Sequence, residues 1–244
     1  SFTNTGTGNT GTIQTWTVPT TGTYRITAYG AGFGSVSSQK GAKMSGEFEL
    51  TAGQELKILV GQMGQHARVG SGGSFVTLSD DTPLIIAGGA GGTEGANNLN
   101  IQGTTDALGN RGYQTADRTS GEGQGGDYTG TSSAYPAGGG GLLTQGRNKG
   151  NIVNHGGRAF VDGGAGGTGY SGYNGGFGGG GALSNSVSSR LSGGGGYSGG
   201  MGSYGAASSN YAGGGGSYNS GVNQENSSGV REGHGLVEIE LAII

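Results

Sequence analysis

Glycine recurs at every third position from Gly163 through Gly166, Gly169, Gly172, Gly175 and Gly178 to Gly181. It does so again at Gly193, Gly196, Gly199, Gly202 and Gly205. Three residues per turn is the period of the polyproline II geometry, and a glycine edge lets two backbones approach closely. A helix of this kind has no internal hydrogen bonds, so when it is buried its N–H and C=O groups must pair with neighbouring segments. The runs are therefore expected to bundle as short polyglycine II helices, with the in-phase glycines as structural contacts between them. The register breaks elsewhere in the chain, which a coaxial collagen triple helix does not tolerate and separate short helices do.

Composition narrows the alternatives. Of 244 residues 64 are glycine, but only three are proline and twelve lysine or arginine, a balance that fits neither collagen nor an arginine–glycine tail. Disorder is the other reading of so much glycine, because each ordered backbone residue costs about 1–2 kcal/mol and glycine has most freedom to lose. Two features oppose it: net charge is only −3, and the apolar residues gather at the two ends of the chain, where a core can form. There is no cysteine, so no disulfide or thiolate metal site is expected. A net charge of −3 offers nucleic acid no electrostatic footprint. No stretch has the length of a membrane span, and Ser1 opens no signal-peptide pattern, so the chain reads as a mature or trimmed soluble piece.

Residues 13 to 87 read as short strands separated by turn residues. Ile13 to Val18 runs up to Pro19; Tyr24 to Tyr29 follows the Thr20-Thr21-Gly22 turn. Met44, Gly46, Phe48 and Leu50 alternate with Ser45, Glu47 and Glu49, the period of a half-buried strand. Leu56 to Val60, Ser74 to Leu78 and Leu84 to Ala87 continue the series. At the far end Val237, Ile239, Leu241 and Ile243 alternate with Leu236, Glu238, Glu240 and Ala242. That last strand has no partner nearby in sequence, so its apolar face is expected to complete the N-terminal unit. The predicted architecture is all-β: a jelly-roll-like β-sandwich of residues 1–87 plus 235–244, carrying an insertion, 88–234, of bundled polyglycine II helices, in one composite domain.

Several pieces, in order, carry a family resemblance. They are Trp16-Thr17-Val18-Pro19, Tyr29-Gly30-Ala31, Gly46 to Leu50, Ile58-Leu59-Val60-Gly61-Gln62, Gly72-Gly73-Ser74-Phe75-Val76, Pro83 to Gly89, Gly175 to Gly181 and Gly233-His234-Gly235. Together they resemble the glycine-rich extracellular domain of the anaplastic lymphoma kinase and leukocyte tyrosine kinase receptors. The resemblance implies a β-sandwich carrying an inserted sheaf of polyglycine helices, and extracellular ligand recognition. This chain departs from those receptors in lacking their cysteines, and these 244 residues hold no kinase or membrane-span pattern. The same scaffold on a microbial or viral surface would serve adhesion or fibre building, because fold does not fix function.

Motifs with chemical meaning are sparse. His66, His155 and His234 lie in unrelated segments and form no HxxxH or HxH spacing, so no metal site is expected; His234, just before the last strand, is expected to pack or hydrogen-bond. Gly196-Tyr197-Ser198-Gly199-Gly200 matches a nucleophile elbow formally, but glycine flanks it where a strand and a helix are required. Gly30 to Gly34 has the wrong spacing for a dinucleotide loop and reads as a strand exit. Asp80-Asp81 before Thr82-Pro83 reads as a hairpin turn, with calcium as the alternative. Asn226-Ser227-Ser228 is the one N-glycosylation sequon.

No catalytic constellation and no cofactor are therefore expected. The chain reads as a non-catalytic extracellular or cell- or virion-surface domain that recognises a protein or glycan, or alternatively as a subunit that assembles with copies of itself into a fibre or surface layer. The candidate ligand-binding residues are Tyr197, Tyr204, Tyr211 and Tyr218, spaced by seven, and Tyr170 and Tyr173, spaced by three. Seven is not a multiple of three, so the first four are expected at successive helix ends or turns and the last two on one face. The alternative for all six is to seal the bundle against the sandwich or against each other.

Overall fold

The computed structural model describes residues 1–113, 121–128, 136–148, 154–184, 189–205 and 210–242. Strand periodicity in the sequence translates directly. The strands are β1 (Gln14–Thr17), β2 (Gly22–Tyr29), β3 (Gly41–Leu50), β4 (Glu55–Leu59), β5 (Ser74–Leu78), β6 (Pro83–Ala87), β7 (Arg190–Leu191), β8 (Ser203–Tyr204), β9 (Tyr218–Asn219), β10 (Ser227–Arg231) and β11 (Leu236–Leu241). They form a five-stranded sheet, β1-β4-β5-β6-β9, a four-stranded sheet, β10-β3-β2-β11, and the small pair β7-β8. All these pairings are antiparallel, the arrangement of a β-sandwich.

Between the two large sheets lies a core of Tyr24, Ile26, Ala28, Met44, Phe48, Leu50, Leu56, Ile58, Val76, Ile85 and Val237 with their neighbours. Each strand supplies alternate residues, and on β2 the intervening Thr23, Arg25 and Thr27 are less buried. The five-stranded sheet is apolar on its other face too. Leu59, Phe75 and Ile86 point away from the first core and meet Leu142, Phe160 and Phe177 from the glycine-rich region, with Phe75 and Phe160 rings stacked 5.0 Å apart. Continuous apolar runs such as Ile58-Leu59-Val60 and Leu84-Ile85-Ile86 thus mark a sheet buried on both sides. The molecule has three layers: an outer sheet, a central sheet and the glycine-rich region.

As expected, β11 joins the N-terminal strands: it pairs with β2 from Leu236↔Tyr29 to Leu241↔Tyr24, and Phe2 exchanges two backbone hydrogen bonds with Val237 on its other side. Only part of its apolar alternation is buried. Val237 is in the core and Ile239 packs against it, but Leu241 is 52% exposed; Ile243 lies outside the described residues. The expected insertion, 88–234, reaches too far. Its residues 218–231 supply β9 to one sheet and β10 to the other, with Asn219 Nδ2 donating to the Ser45 carbonyl at 2.9 Å between them. These polar, glycine-interrupted strands lack the alternation that betrays the others.

The glycine-rich segments bond in a pattern no sheet shows. In a strand, successive groups alternate between two neighbours. Here Gly193, Gly194 and Gly195 donate to Ala137, Gly213 and Ser71, on three different segments. Gly196 then returns to the first neighbour, at Gly140, and Tyr197 to the second, at Gly216. The repeat of three recurs where Gly70 and Gly73 donate to Gly181 and Gly178, and where Gly213 and Gly216 donate to Met201 and Ser198.

This threefold pattern corrects the expectation of a single glycine phase. Neighbours lie on every side, so glycine is required in every register: a β-carbon would meet backbone closely both in the uninterrupted quartets 138–141, 193–196 and 213–216 and at Gly70, Gly72 and Gly176 outside them. A β-carbon on the off-phase Gly200 would overlap the Gly213 carbonyl, its carbon only 2.6 Å away. In-phase Gly163 and Gly172, by contrast, sit in open turns with φ of +92° and +77° and nothing within 4 Å. The long run is not one continuous segment. It turns at Gly172 and again at Gly178-Gly179, where φ is positive. Gly166, Gly175, Gly178 and Gly181, and the second run, Gly193, Gly196, Gly199, Gly202 and Gly205, are buried, and Gly169 is half-buried.

Candidate recognition surface

The six candidate tyrosines are dispersed. Tyr197 and Tyr218 meet with ring centroids 4.8 Å apart and pack on the second core, so they seal the glycine-rich region against the central sheet. Burial pushes the Tyr197 hydroxyl pKa up, with a smaller contribution from Glu122. The expectation that Tyr170 and Tyr173 share a helical face does not hold: the Tyr173 N–H donates to the Tyr170 carbonyl at 2.8 Å, closing a turn. Tyr170 is 58% exposed, whereas Tyr173 lies against the His66 ring at 4.6 Å. Tyr204 sits in β8 opposite Arg190. Tyr211 makes an edge contact with Tyr113, 6.0 Å between centroids.

Tyr211 leads to a feature the sequence reading missed. Its hydroxyl is 3.4 Å from Asn100 Nδ2, and Asn100 lines an open groove of about 410 Å³ with Asp106, Leu108, Asn110 and Arg111. A glycine quartet holds the groove together from below. Gly214 N–H donates to the Asn100 carbonyl and its own carbonyl accepts from Asn110 N–H, both at 2.8 Å; Ser217 N–H donates to the Asp106 carbonyl. Asn110 Nδ2 reaches the Gln102 carbonyl at 3.1 Å. Leu99, 74% exposed, adjoins this lining in sequence. The available sequence signal was the density of Asn, Asp and Arg between residues 97 and 111, unremarkable without the floor that assembles it.

Ser198 of the formal nucleophile elbow is fully buried and accepts a hydrogen bond from Gly123 N–H. Asp80 and Asp81 form a turn: Asp80 accepts from Thr82 N–H, which lowers its pKa, and Asp81, at φ +70°, pairs with Lys57 at 2.8 Å. Among the described residues no three His, Cys, Asp or Glu side chains gather as metal ligands.

His66 and His234 both accept backbone N–H groups through Nδ1, from Arg68 and Met63 respectively, at 3.2 Å. Burial holds both pKa values below the usual 6.5, helped by the Arg68 and Arg231 guanidiniums, with Glu94 partly opposing at His66. A depressed folded pKa means that the unfolded chain binds more protons as pH falls, so this stability is present above about pH 6.5 and lost below it. The thermal midpoint is therefore expected to fall as pH drops below about 6.5, and His234→Asn, which keeps an acceptor but does not titrate, to reduce the slope. Melting curves at stepped pH test this; equal slopes for parent and variant would contradict it.

No family profile matches the chain. It is similar to the leukocyte tyrosine kinase receptor of Mus musculus, 38% identical over 84 residues, a stretch that is 32% of this chain and 9% of the receptor. That likeness marks a distant relationship. Among the described residues no helix is long and apolar enough to cross a membrane.

Proposed function

We propose that the chain is a non-catalytic extracellular domain that recognises a protein or glycan from a rigid scaffold of polyglycine II helices. The observation that supports the helices is the hydrogen-bond repeat of three, since this geometry directs successive N–H groups to three neighbours in turn. What supports recognition is the groove over the 213–217 segment, where exposed polar and apolar side chains stand on a backbone already bonded on several sides. Such preorganisation reduces the ordering cost of binding. The partial likeness to a receptor points to the same class.

Fluorescently labelled chain, applied to a glycan array and to a panel of cell surfaces, is expected to bind saturably to at least one target as a discrete particle by mass photometry. Extended assemblies without saturable binding would replace this reading with that of a fibre or surface-layer subunit.

A further inference from the structure

We infer that the groove formed by Asn100, Asp106, Asn110 and Arg111 is a subsite for a neutral saccharide. The proposal rests on the reading of the chain as a binding domain and names the ligand class for one face of it. The groove is open and shallow, and its lining mixes polar groups with Leu108, so it has no enclosed apolar cavity for a large hydrophobic ligand. Among the described residues its lining carries one carboxylate and one guanidinium, which together favour neither a polyanion nor a polycation.

What the groove does offer is planar, directional hydrogen-bonding chemistry. A carboxylate accepts two hydrogen bonds side by side, a guanidinium donates a matching pair, and an amide does one of each. Vicinal sugar hydroxyls, each both donor and acceptor, complement such groups. The apolar C–H face of a pyranose matches the exposed side chain of Leu108 in the lining. The Asn100 amide donates to the Tyr211 hydroxyl, which orients that amide in the lining. The backbone of Asn100, Asp106 and Asn110 is tied to the 213–217 segment, so the polar groups are spaced before any ligand arrives.

The test titrates the intact protein with free glucose, galactose, mannose, fucose and N-acetylglucosamine, reading backbone amide shifts by NMR. At least one sugar is expected to shift amides within Asn100–Arg111. Asp106→Ala and Arg111→Ala are each expected to weaken that sugar about tenfold or more, the effect of losing a hydrogen bond to a charged group. Val222→Ala, an exposed position beside Glu47 of the sandwich and outside the groove, is expected to bind like the parent. Both groove positions are exposed, and matched melting curves will establish that the variants fold. A sugar response confined to other amides, or affinity unchanged in both groove variants, overturns the subsite. Saturable binding to cells without any response to free sugars also overturns it and points to a protein ligand, leaving the binding reading intact. Failure of both assays removes both.

Discussion

Gly195→Ala is expected to leave little folded protein, although it adds one methyl group to a chain that already contains many alanines. The added β-carbon would overlap the Gly178 carbonyl and lie 2.6 Å from the Gly179 carbonyl carbon, both backbone and therefore unable to rotate away. Relief requires the segments to part. That separation breaks the bonds from Gly195 N–H to Ser71 and from Gly89 N–H to Gly195, and buried amides left unpaired cost about 1–3 kcal/mol each. With the steric term the total should exceed about 4 kcal/mol, a large part of the 5–15 kcal/mol that holds a typical domain together. Gly172→Ala is the contrast. It has open space, and only its left-handed backbone opposes a side chain, at about 1–2 kcal/mol. Urea denaturation of the two variants measures the difference; similar midpoints would show that the glycine segments are loosely packed.

Truncation after Gly235, which removes β11, is expected to be the second severe change. Val237 is fully buried and Ile239 partly so, together worth on the order of 2–5 kcal/mol of apolar burial, while exposed Leu241 adds little. Larger consequences follow from the backbone. Losing β11 exposes the edge of β2 along six paired residues and releases Phe2, leaving an unprotected edge beside an apolar core. The truncated chain should be recovered mainly as aggregate, or melt well below the parent. Soluble expression with an unchanged melting curve would mean that β2 is stable as an edge and that β11 is dispensable.

Much of the sandwich was legible because a strand with one buried face alternates in its own sequence. Met44 to Leu50 and Tyr24 to Tyr29 declare which residues point inward without reference to any partner. The sequence also implied that the isolated apolar strand read at residues 236–243 must return to the beginning of the chain, and its described part, Leu236–Leu241, pairs with β2. β9 and β10 escaped notice because Tyr218-Asn219 is too short and Ser227–Arg231 too polar to show a period; they are strands only because β6 and β3 offer them edges. The candidate site fared similarly. Six tyrosines stood out as rare large side chains, yet packing uses Tyr197 and Tyr218 to close the second core, and the groove is built from ordinary polar residues that a distant glycine quartet holds together.

By itself, then, the sequence determined most strands of the sandwich, the return of β11, and the requirement that glycine backbones find hydrogen-bond partners outside their own segments. Those consequences follow from side-chain alternation and from backbone groups that cannot stay unpaired when buried. Which segment meets which was decided only by the tertiary structure. Gly193, Gly194 and Gly195 are chemically identical, yet they bond to residues 137, 213 and 71, and a side chain of one hydrogen atom carries no information to distinguish those partners. Selection among them comes from the residues around the quartets, from Phe160 and Phe177 seated on the central sheet, and from the turns at Gly172 and Gly178-Gly179, which bring the segments into register together.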